Sequence, residues 1–430
     1  MLQRLPSRKA IVGCGALLHV LLACALPTSH GRVCDVFKDC GARPPPFLSS
    51  DALTACARVC DTLHFPENAR LLVSSVDLSN TTGLTLLFDA NAVINTTTDI
   101  SRWPIAPFFP PMGNTTCFRA VFFGRNVTDF RLLAPPSAVV DGSGAFWQPL
   151  RPTLPHQAPK LFELVDARNI SVIGGTFANS ANWHWHVVFA SDVVFLNVTV
   201  LGNRSWGGTD GIDPHSVSNV LIDGAHIDVG DDAIAVTSGE HDVTKRLVPT
   251  VNVTVRNSFL VSRNFAIGSS VAGNVSEVLV EDTRIGDAFG SAPWAVKIKT
   301  HCPNGGNVEN VTFRRLQLGH IRPNAYQQPH GGMALSMYMN YGSSHLCDAN
   351  DPTPAPTVIT NISFIDIVGL SAVWAARPLN GSTHRNITGL FFRNVSFGPT
   401  SDPQPWDCLG VEGTRVEGVV TPPLPKSCGL

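Results

Sequence analysis

The feature that most constrains the fold of this chain is an internal repeat between residues 169 and 397. Each unit begins with a turn residue, usually Asn or Asp, and continues with apolar residues at alternate positions. This pattern indicates a short β-strand, a turn and a second short strand in every unit. The units that show it are Asn169–Phe177, Asp192–Val200, Asn219–Ile227, Asn252–Leu260, Glu277–Ile285, Asn310–Leu318, Asn361–Gly369 and Gly389–Phe397.

The spacing of the units predicts how their strands associate. The first four units begin 23 to 33 residues apart, and no amphipathic helical pattern of useful length separates them. This argues against alternating strands and crossover helices. Short strands at such intervals fit the coils of a parallel β-helix, in which each coil stacks about 4.8 Å above the last. We therefore predict an all-β, single-stranded parallel β-helix, with a β-sandwich as the alternative for strands of this length.

The amino end has the pattern of a secretory signal peptide over residues 1–31. Three basic residues precede an apolar run from Ala10 to Leu26, which is short for a membrane anchor, the alternative interpretation. We expect residues 32–430 to form a single β-helix domain, because repeat folds grow along one axis without dividing. A short helix predicted over residues 50–64 would cap the first coil, and the carboxyl end would form a Pro-rich tail.

Charge and cysteine usage restrict the class of protein further. Without the leader, 28 basic residues face 33 acidic ones, so no basic excess suggests a nucleic-acid partner. Nothing after the leader is apolar for long enough to cross a bilayer. Of eleven cysteines, Cys14 and Cys24 lie in the leader, and the remaining odd number predicts several disulfides and one spare thiol. The pairing stays open, although bridges among Cys34, Cys40, Cys56 and Cys60, and near Cys408 and Cys428, would suit the two end coils.

Sequons of the form Asn-x-Ser/Thr occur fourteen times, and several lie inside the repeat. Glycosylation requires an exposed acceptor. Many of these residues can equally be turn asparagines that precede a β-branched strand start. We therefore expect fewer than fourteen of them to carry glycan.

The densest polar cluster comprises Gly208–Asp213 and Gly230–Asp232. Asp210 and Asp231 are 21 residues apart, roughly one coil, so Asp210, Asp231 and Asp232 would lie within a few ångströms of one another. Three carboxylates that close cannot all stay ionised, and one pKa should rise. A protonated carboxyl beside ionised ones suits glycoside hydrolysis, and an acid-to-base separation of roughly 6.5–9.5 Å gives inversion. The alternatives are a Ca²⁺ site or solvated turn aspartates.

These two blocks, together with Ile267-Gly268-Ser269 and Lys297-Ile298-Lys299, resemble motifs of the polygalacturonases and related pectin hydrolases, glycoside hydrolase family 28. The resemblance extends in the same order from the Asp141–Gly144 turn to Asn340 and Tyr341. It implies a right-handed β-helix like that of the pectin lyases. It also implies an inverting hydrolase of α-linked, galacturonic-acid-containing polysaccharide that uses no metal and no organic cofactor.

The resemblance also assigns roles to individual residues. Asp231 would be the general acid, while Asp210 and Asp232 would hold and deprotonate the attacking water. Lys297 and Lys299 would bind the uronate carboxylate next to the scissile bond, with Tyr341 lining the same subsite. Such lysines answer a physical need, because a chain of net negative charge must create a local positive patch to hold a polyanion. We expect a secreted monomer whose partner is an acidic plant-type polysaccharide.

Three residues depart from the family pattern. The histidine that usually precedes Ile-Gly-Ser is absent, and Arg263 stands in that segment as a candidate uronate ligand or a solvated loop arginine. Lys297 replaces an arginine, which keeps the charge but loses the two-pronged grip on a carboxylate. Gly208 replaces an asparagine. His215 and His301 are candidates to substitute for the missing histidine.

The alternation Trp183-His184-Trp185-His186 predicts a strand with tryptophans on one face and histidines on the other. Packing beside the cleft is the expected role of these four residues.

Two other functions remain open at the level of sequence. One is a Ca²⁺-dependent lyase on a similar β-helix, with the aspartates as metal ligands. The other is a non-catalytic β-helix that binds glycans, which the missing histidine would allow.

Overall fold

The computed structural model describes residues 31–109, 115–239, 246–261, 263–289, 292–300, 305–323, 331–339, 341, 357–381 and 385–430. The described chain winds through successive coils, and its strands pair in parallel with those of the next coil. One antiparallel pair, β7 with β8, lies outside the stack. None of the described helices is long and apolar enough to span a membrane. The prediction of coils without crossover helices is confirmed.

The strands of the amino-terminal half are β1 (Val33–Asp35), β2 (Thr62–Phe65), β3 (Arg70–Val73), β4 (Val76–Asp77), β5 (Thr85–Phe88), β6 (Val93–Thr96), β7 (Ile105–Pro107), β8 (Thr116–Phe118), β9 (Phe122–Arg125), β10 (Thr128–Asp141), β11 (Phe162–Val165), β12 (Arg168–Ala178), β13 (Trp185–Leu196) and β14 (Thr199–Leu201). Those of the carboxyl-terminal half are β15 (Ile212–Asp223), β16 (His226–Asp228), β17 (Ile234–Ser238), β18 (Thr250–Arg256), β19 (Phe259–Leu260), β20 (Phe265–Val271), β21 (Val275–Glu281), β22 (Arg284–Ile285), β23 (Trp294–Lys299), β24 (Asn307–Arg314), β25 (Gln317–Ile321), β26 (Met333–Tyr338), β27 (Val358–Ala372), β28 (Trp374–Asn380), β29 (Ile387–Ser396), β30 (Trp406–Leu409), β31 (Val411–Glu412) and β32 (Arg415–Thr421). The helices are α1 (Ser50–Ala57) and α2 (Gly144–Leu150), with 3₁₀ turns at Ile100–Arg102, Arg151–Thr153 and Lys426–Cys428.

Three parallel ladders run along the stack, and each coil passes through them in turn. Ladder A contains β18, β21 and β24, ladder B contains β19, β22 and β25, and ladder C contains β17, β20 and β23. Long strands such as β13 and β15 bend from ladder C into ladder A. Because pairing is in register from coil to coil, a residue type that recurs at one position forms a continuous row along the stack.

One such row consists of residues in the left-handed backbone region, each just before the apolar alternation of ladder A. We call it the αL row; its members are Asp129, Asn169, Asp192, Asn219, Asn252, Glu277, Asn310, Asn361 and Gly389. Eight of these nine residues are the starting residues of the repeat units found in the sequence. Asn and Asp are suited to this conformation because they tolerate positive φ better than other side-chain-bearing residues.

Amide side chains connect neighbouring members of the αL row. Asn219 Nδ2 donates to Asp192 Oδ1 and Asn252 Nδ2 donates to Asn219 Oδ1, both at 2.9 Å. Asn310 and Asn361 continue the pattern further along the stack. Several sequons therefore coincide with turn asparagines, as expected, while their glycan occupancy stays a prediction.

The core lies inside the three ladders and is filled by the alternate residues of each unit. Val253 and Val255 of β18 are fully buried, like the corresponding residues of the neighbouring coils. Aromatic residues stack coil upon coil, with Phe364 lying 5.3 Å from Phe313 and 5.1 Å from Phe392 between ring centroids. Burial of each such side chain stabilises the fold by about 1.5–3 kcal/mol. The period-two pattern is thus the direct cause of the stack.

Both ends of the described stack carry disulfides. Cys34 bonds to Cys60 and Cys40 to Cys56 at the amino end, and Cys408 bonds to Cys428 at the carboxyl end. Cys117 is buried and unbridged, so the prediction of end bridges and a spare thiol is confirmed within the described residues. The two other cysteines beyond residue 31 lie outside them.

The predicted helix over residues 50–64 is shorter in the structure. Helix α1 ends at Ala57, and β2 occupies Thr62–Phe65. Phe65 is fully buried and stacks on Phe88 of the next coil, 4.2 Å away. Burial of that side chain in ladder A therefore overrides helical continuation at this point.

Candidate active site

The candidate carboxylates lie in the turns that lead into ladder C. Asp210 precedes β15 by two residues, and Asp231 and Asp232 precede β17. Gly211 N donates to Asp232 O at 2.9 Å and Ile212 N to Ala233 O at 3.1 Å, which stacks one turn upon the other. Each of the three side chains has an oxygen within 4.8 Å of the other two. The prediction that a 21-residue separation places these groups on adjacent coils is confirmed.

Asp232 is the most tightly held of the three. Its carboxylate is buried and accepts hydrogen bonds from Lys299 Nζ at 2.6 Å and from Asn264 Nδ2 at 3.0 Å. Burial alone would raise the pKa of Asp232, but the Lys299 and Lys297 charges lower it below its usual value. Asp232 is therefore ionised at mild pH.

Asp210 has the opposite electrostatic environment. Burial, together with the charges of Asp213, Asp231 and Asp232, raises its pKa well above the ordinary value. Asp210 therefore retains its proton at a pH where Asp232 has lost its own. This agrees with the expectation that one pKa in the cluster rises.

Asp231 is the most accessible member, with 29% of its side chain exposed. Gly208 N donates to Asp231 Oδ2 at 2.6 Å, and Asp232 N donates to Asp231 Oδ1 at 3.0 Å. Gly208 adopts φ +63°, and a Cβ there would lie 2.7 Å from a guanidinium nitrogen of Arg151. Glycine adopts this positive φ without strain, and a side chain at this position would require the Arg151 guanidinium to move.

Arg263 lies beside Asp231 and is not a solvated loop residue. It is 3% exposed, and its NH1 nitrogen is 3.6 Å from Asp231 Oδ1. Its Nε and second NH2 nitrogen are buried and have no hydrogen-bond partner among the described residues. The guanidinium carbon lies 5.8 Å from the centroid of the Trp294 ring. A buried guanidinium with unused donors is equipped to bind an anion.

Lys297 and Lys299 project from the outer face of β23, on either side of the inward-facing Ile298. Lys299 is committed to Asp232, whereas Lys297 Nζ lies over aromatic rings, 4.0 Å from the centroid of Trp294 and 5.6 Å from that of Tyr341. Burial and the neighbouring Lys299 charge lower the pKa of Lys297 to about 8. Tyr341 lies next to both lysines, with its ring centroid 5.1 Å from Lys299 Nζ.

The Ile-Gly-Ser segment brings β20 close to the strand that carries these lysines. A Cβ on Gly268 would lie 1.7 Å from Lys299 O, and the residue adopts φ +97°. Only glycine allows this approach. Gly268 therefore determines how the backbone of Lys299 sits relative to the carboxylates.

A second polar group on the outer face of ladder C was not predicted as a unit. Glu163 of β11 faces His186 of β13, and His186 faces Asp213 of β15. The same register continues through Ala235 and Ala266 to Lys297, and we call these six positions the floor row. Glu163, His186 and Asp213 are 23 and 27 residues apart, so the coil spacing was a usable signal in the sequence.

The amino-terminal part of the floor row is buried and charged. Lys160 Nζ contacts Glu163 Oε1 and lies 2.9 Å from His186 Nδ1. Burial alone would raise the pKa of Glu163, but the Lys160 ammonium lowers it to about 2. Burial and the same ammonium lower the pKa of His186 to about 3, so that histidine is neutral.

Asp213, the next charged residue of the floor row, differs from Glu163. Burial and the Asp232 charge raise the pKa of Asp213 well above its usual value. Neither Asp213 oxygen has a hydrogen-bond partner in the described part of the chain.

The predicted division of Trp183, His184, Trp185 and His186 between two strand faces is wrong. Strand β13 begins only at Trp185, which stacks in the core on Phe162 at 3.9 Å. Trp183 precedes the strand, and its ring packs 4.8 Å from that of His186 on the outside of the coil. His184 is fully buried, with its ring nitrogens near the carbonyl oxygens of Asp210 and Leu201.

Of the two candidate substitutes for the family histidine, the structure describes His215 only. His215 lies on β15 with its ring 6.1 Å from that of Phe109, while His301 lies outside the described residues. Arg263 is the cation that contacts Asp231.

Comparison with known proteins identifies the family. The model of glycosyl hydrolases family 28 matches residues 65–418. A probable polygalacturonase of Vitis vinifera is 30% identical over 359 residues, which is 80% of this chain and 69% of that protein. A polygalacturonase of Ralstonia solanacearum is 23% identical over 49% of this chain, which spans 44% of the length of that relative.

Solved structures agree in fold. An exopolygalacturonase from Thermotoga maritima superimposes with a TM-score of 0.71 at 19% identity, covering 94% of each chain. A polygalacturonase from Erwinia carotovora gives 0.68 at 16% identity, covering 92% of this chain and 99% of that one. The prediction of an all-β, right-handed parallel β-helix is confirmed, and the β-sandwich is excluded. The chain belongs to glycosyl hydrolases family 28 and is a glycosidase.

Proposed function

We propose that the enzyme hydrolyses α-linked, galacturonic-acid-containing polysaccharide by general acid/base catalysis with inversion, without a metal or an organic cofactor. The observation that carries this proposal is one group of three carboxylates within 4.8 Å of each other, in contact with basic side chains. The carboxylates supply the acid and base of glycoside hydrolysis, and the basic residues supply the charge that retains a polyanion.

The roles within the carboxylate group follow the family resemblance, and the exposure of Asp231 and the positive charge beside Asp232 support them. Asp231, the most accessible, is the general acid that protonates the leaving oxygen. Asp232, kept ionised by Lys299, accepts the proton of the attacking water. Asp210, whose pKa is raised, holds that water by a hydrogen bond while the proton moves to Asp232. The two neighbouring carboxyls thus divide the tasks of holding and deprotonating the water.

The stereochemical outcome rests on the family resemblance. The nearest oxygens of the three carboxyls lie within 4.8 Å, which is shorter than the roughly 6.5–9.5 Å typical of an inverting acid–base pair. The distance of 4.8 Å joins the closest oxygens of the three groups. We expect the first product to have inverted configuration, which NMR of its anomeric proton measures.

Lys297, Arg263 and Tyr341 form the proposed subsite for the uronate carboxylate, with Lys299 behind them. Lys297 supplies a single ammonium where the family has an arginine fork. Arg263 compensates, because its Nε and NH2 nitrogens are buried beside the carboxylates without partners in the described structure. Two planar donors next to a point charge suit a carboxylate better than the lysine alone.

The substrate and the cellular context follow the same reasoning. We propose an acidic plant-type pectic polysaccharide as the substrate, with secretion through the leader at residues 1–31. Residues 32–430 would form one catalytic β-helix domain, in which α1 caps the first coil and the Pro-rich end forms a tail. Leu53 of α1 is fully buried, which supports such a cap. We further propose that the mature enzyme works as a monomer and needs no membrane.

A Ca²⁺-dependent lyase is the rival that one observation favours, because three carboxylate oxygens this close could hold a cation. Lys299 Nζ already lies 2.6 Å from Asp232 and supplies positive charge at that place. The hydrolase proposal therefore explains the group with residues of the chain itself.

Product analysis separates the possibilities. Polygalacturonate, rhamnogalacturonan and xylogalacturonan are incubated with the enzyme in the presence and absence of a chelator, and products are followed by mass, by NMR of the anomeric proton and by ultraviolet absorbance. We expect saturated products of inverted configuration, undiminished by the chelator and formed about 10²–10⁴-fold more slowly by Asp231→Asn. Unsaturated products that disappear with chelator would establish the lyase, and no product from any of the three polymers would contradict the proposed hydrolysis.

A further inference from the structure

The segment Phe108–Phe109 closes the outside of ladder C at its amino-terminal coils. The Phe109 ring lies 6.3 Å from His186, 6.1 Å from His215 and 5.5 Å from Phe189. The carbonyl oxygen of Phe109 accepts a hydrogen bond from Lys160 Nζ, which also contacts Glu163 of the floor row.

Trp183 completes this barrier. Its ring packs 4.8 Å from His186 and 5.8 Å from Phe108, and the Lys160 ammonium lies 4.6 Å from both the Phe108 and Trp183 ring centroids. We call Phe108, Phe109 and Trp183 the wall. Lys160, Glu163 and His186 below it are at most 3% exposed. The outer face of these coils is therefore closed to a polysaccharide.

The other direction along ladder C carries the binding groups. Arg263, Lys297 and Tyr341 lie on coils that follow Asp231. The general acid protonates the oxygen that departs with the leaving sugar, so the leaving sugar belongs on the side of Asp231 and Arg263. The sugar whose anomeric carbon is attacked then lies toward Asp210, Asp213 and the wall. That sugar is on the non-reducing side of the bond.

The space on this side is short. The strand that follows Asp231 and Asp232 and the strand that carries His186 are two coils apart, which is roughly 10 Å at about 4.8 Å per coil. This length accommodates one pyranose ring and not an extended chain. Beneath it, both Asp213 oxygens and His186 Nε2 are buried polar atoms without partners among the described residues.

We propose that the wall makes the cleft a dead-end pocket, so that the enzyme removes single uronic acid residues from the non-reducing end of its polymer. This rests on the proposed galacturonan hydrolysis and specifies its mode of attack. The bond that breaks is the first glycosidic bond of the chain. Water adds to the anomeric carbon of the sugar at the non-reducing end. The proton from Asp231 goes to the glycosidic oxygen, which departs with the shortened chain.

The test uses the whole mature enzyme and galacturonate hexamers tagged at the reducing end. Mass analysis in the first few per cent of conversion should show free monomer and tagged pentamer, with a slow fall in the viscosity of long polygalacturonate. Tagged products of mixed length at the earliest times would overturn the proposal while leaving hydrolysis intact. Release of tagged monomer would overturn its polarity. No product from any galacturonan would overturn both this inference and the proposed function.

A pair of wall variants tests the cause. Phe109→Ala should raise the share of dimer and longer products at least tenfold, because the ring that blocks a second sugar is gone. Phe109→Leu keeps most of the volume and should leave monomer as the main product. An unchanged monomer-only pattern in a folded Phe109→Ala enzyme would contradict the wall as the cause. If that variant does not fold, the product pattern of the unmodified enzyme still decides.

Discussion

The αL row and the floor row are built by the same rule and have opposite chemistry. Both are rows of positions that face each other on successive parallel coils. In the αL row, Asn219 accepts from Asn252 and donates to Asp192, so each amide satisfies its neighbours. In the floor row, Asp213 has no hydrogen-bond partner among the described residues, and Lys297 faces aromatic rings.

The difference shows how a repeat fold separates stability from function. A row of matched amides satisfies its own polar groups and stabilises the stack at low risk. Burial of charged and polar groups without partners costs free energy of folding. A bound ligand can supply the missing partners. Sites where local rules are broken are where function is expected.

The largest expected effect is on catalysis in the cleft. Asp231→Asn removes the proposed acid without changing its volume, so kcat should fall about 10²–10⁴-fold. The urea midpoint should change little, because Asp231 is partly exposed. Steady-state rates of reducing-sugar release are the measurement. Asp282→Asn, in an exposed pair with Arg315, is the matched control and should keep full activity. Equal losses in both variants would contradict the assignment.

The buried cation that pairs with Glu163 of the floor row should matter for stability as well. Lys160→Met leaves Glu163 buried without its cation, and the free energy of unfolding should fall by about 3–5 kcal/mol. Urea denaturation at neutral pH measures this. Lys38→Met is the control, since that ammonium is 82% exposed and pairs at the surface. A loss below about 1 kcal/mol would show that the buried network is not structural.

The subsite cations should produce a pH dependence of binding. The Lys297 pKa of about 8 means that its charge is present below that pH and is lost as the pH rises through it. KM for a galacturonate oligomer should therefore rise above pH 8, approaching tenfold per pH unit. Lys297→Arg keeps its charge and should remove this rise. A rise of the same size in the Arg variant would place the titrating group elsewhere.

The smallest expected effect lies in the αL row. Asn219→Ala loses two amide hydrogen bonds and puts a Cβ-bearing residue without local hydrogen bonding at φ +58°, which should cost about 1–2 kcal/mol. Asn219→Gly loses the same bonds but tolerates the backbone, and should cost less. Asn219 is outside every sequon, so glycan does not confound the comparison. Urea denaturation measures the free energy of unfolding of both variants, and their kcat should stay unchanged. A drop in kcat would contradict the contrast between the rows.

The sequence by itself determined the repeat, and with it most of the fold. The units start at the αL residues, and Val253 and Val255 point inward as their alternation requires. These features depend on one residue and its near neighbours, so they are visible locally. Asp210 and Asp231 lie close together for the same reason. Their separation of 21 residues corresponds to one coil, so the two residues are stacked on adjacent coils.

Contacts between coils decided the rest. Contacts between segments far apart in sequence set the burial of Arg263, the approach of Arg151 to Gly208 and the wall over His186. Helix α1 ends at Ala57 because Phe65 packs on the next coil. The pKa values of Asp210 and Asp232 diverge for a similar reason, since the distance to Lys299 is set by stacking and not by sequence position. A local pattern carries its own period, whereas burial and charge depend on which neighbours the stacked coils bring together.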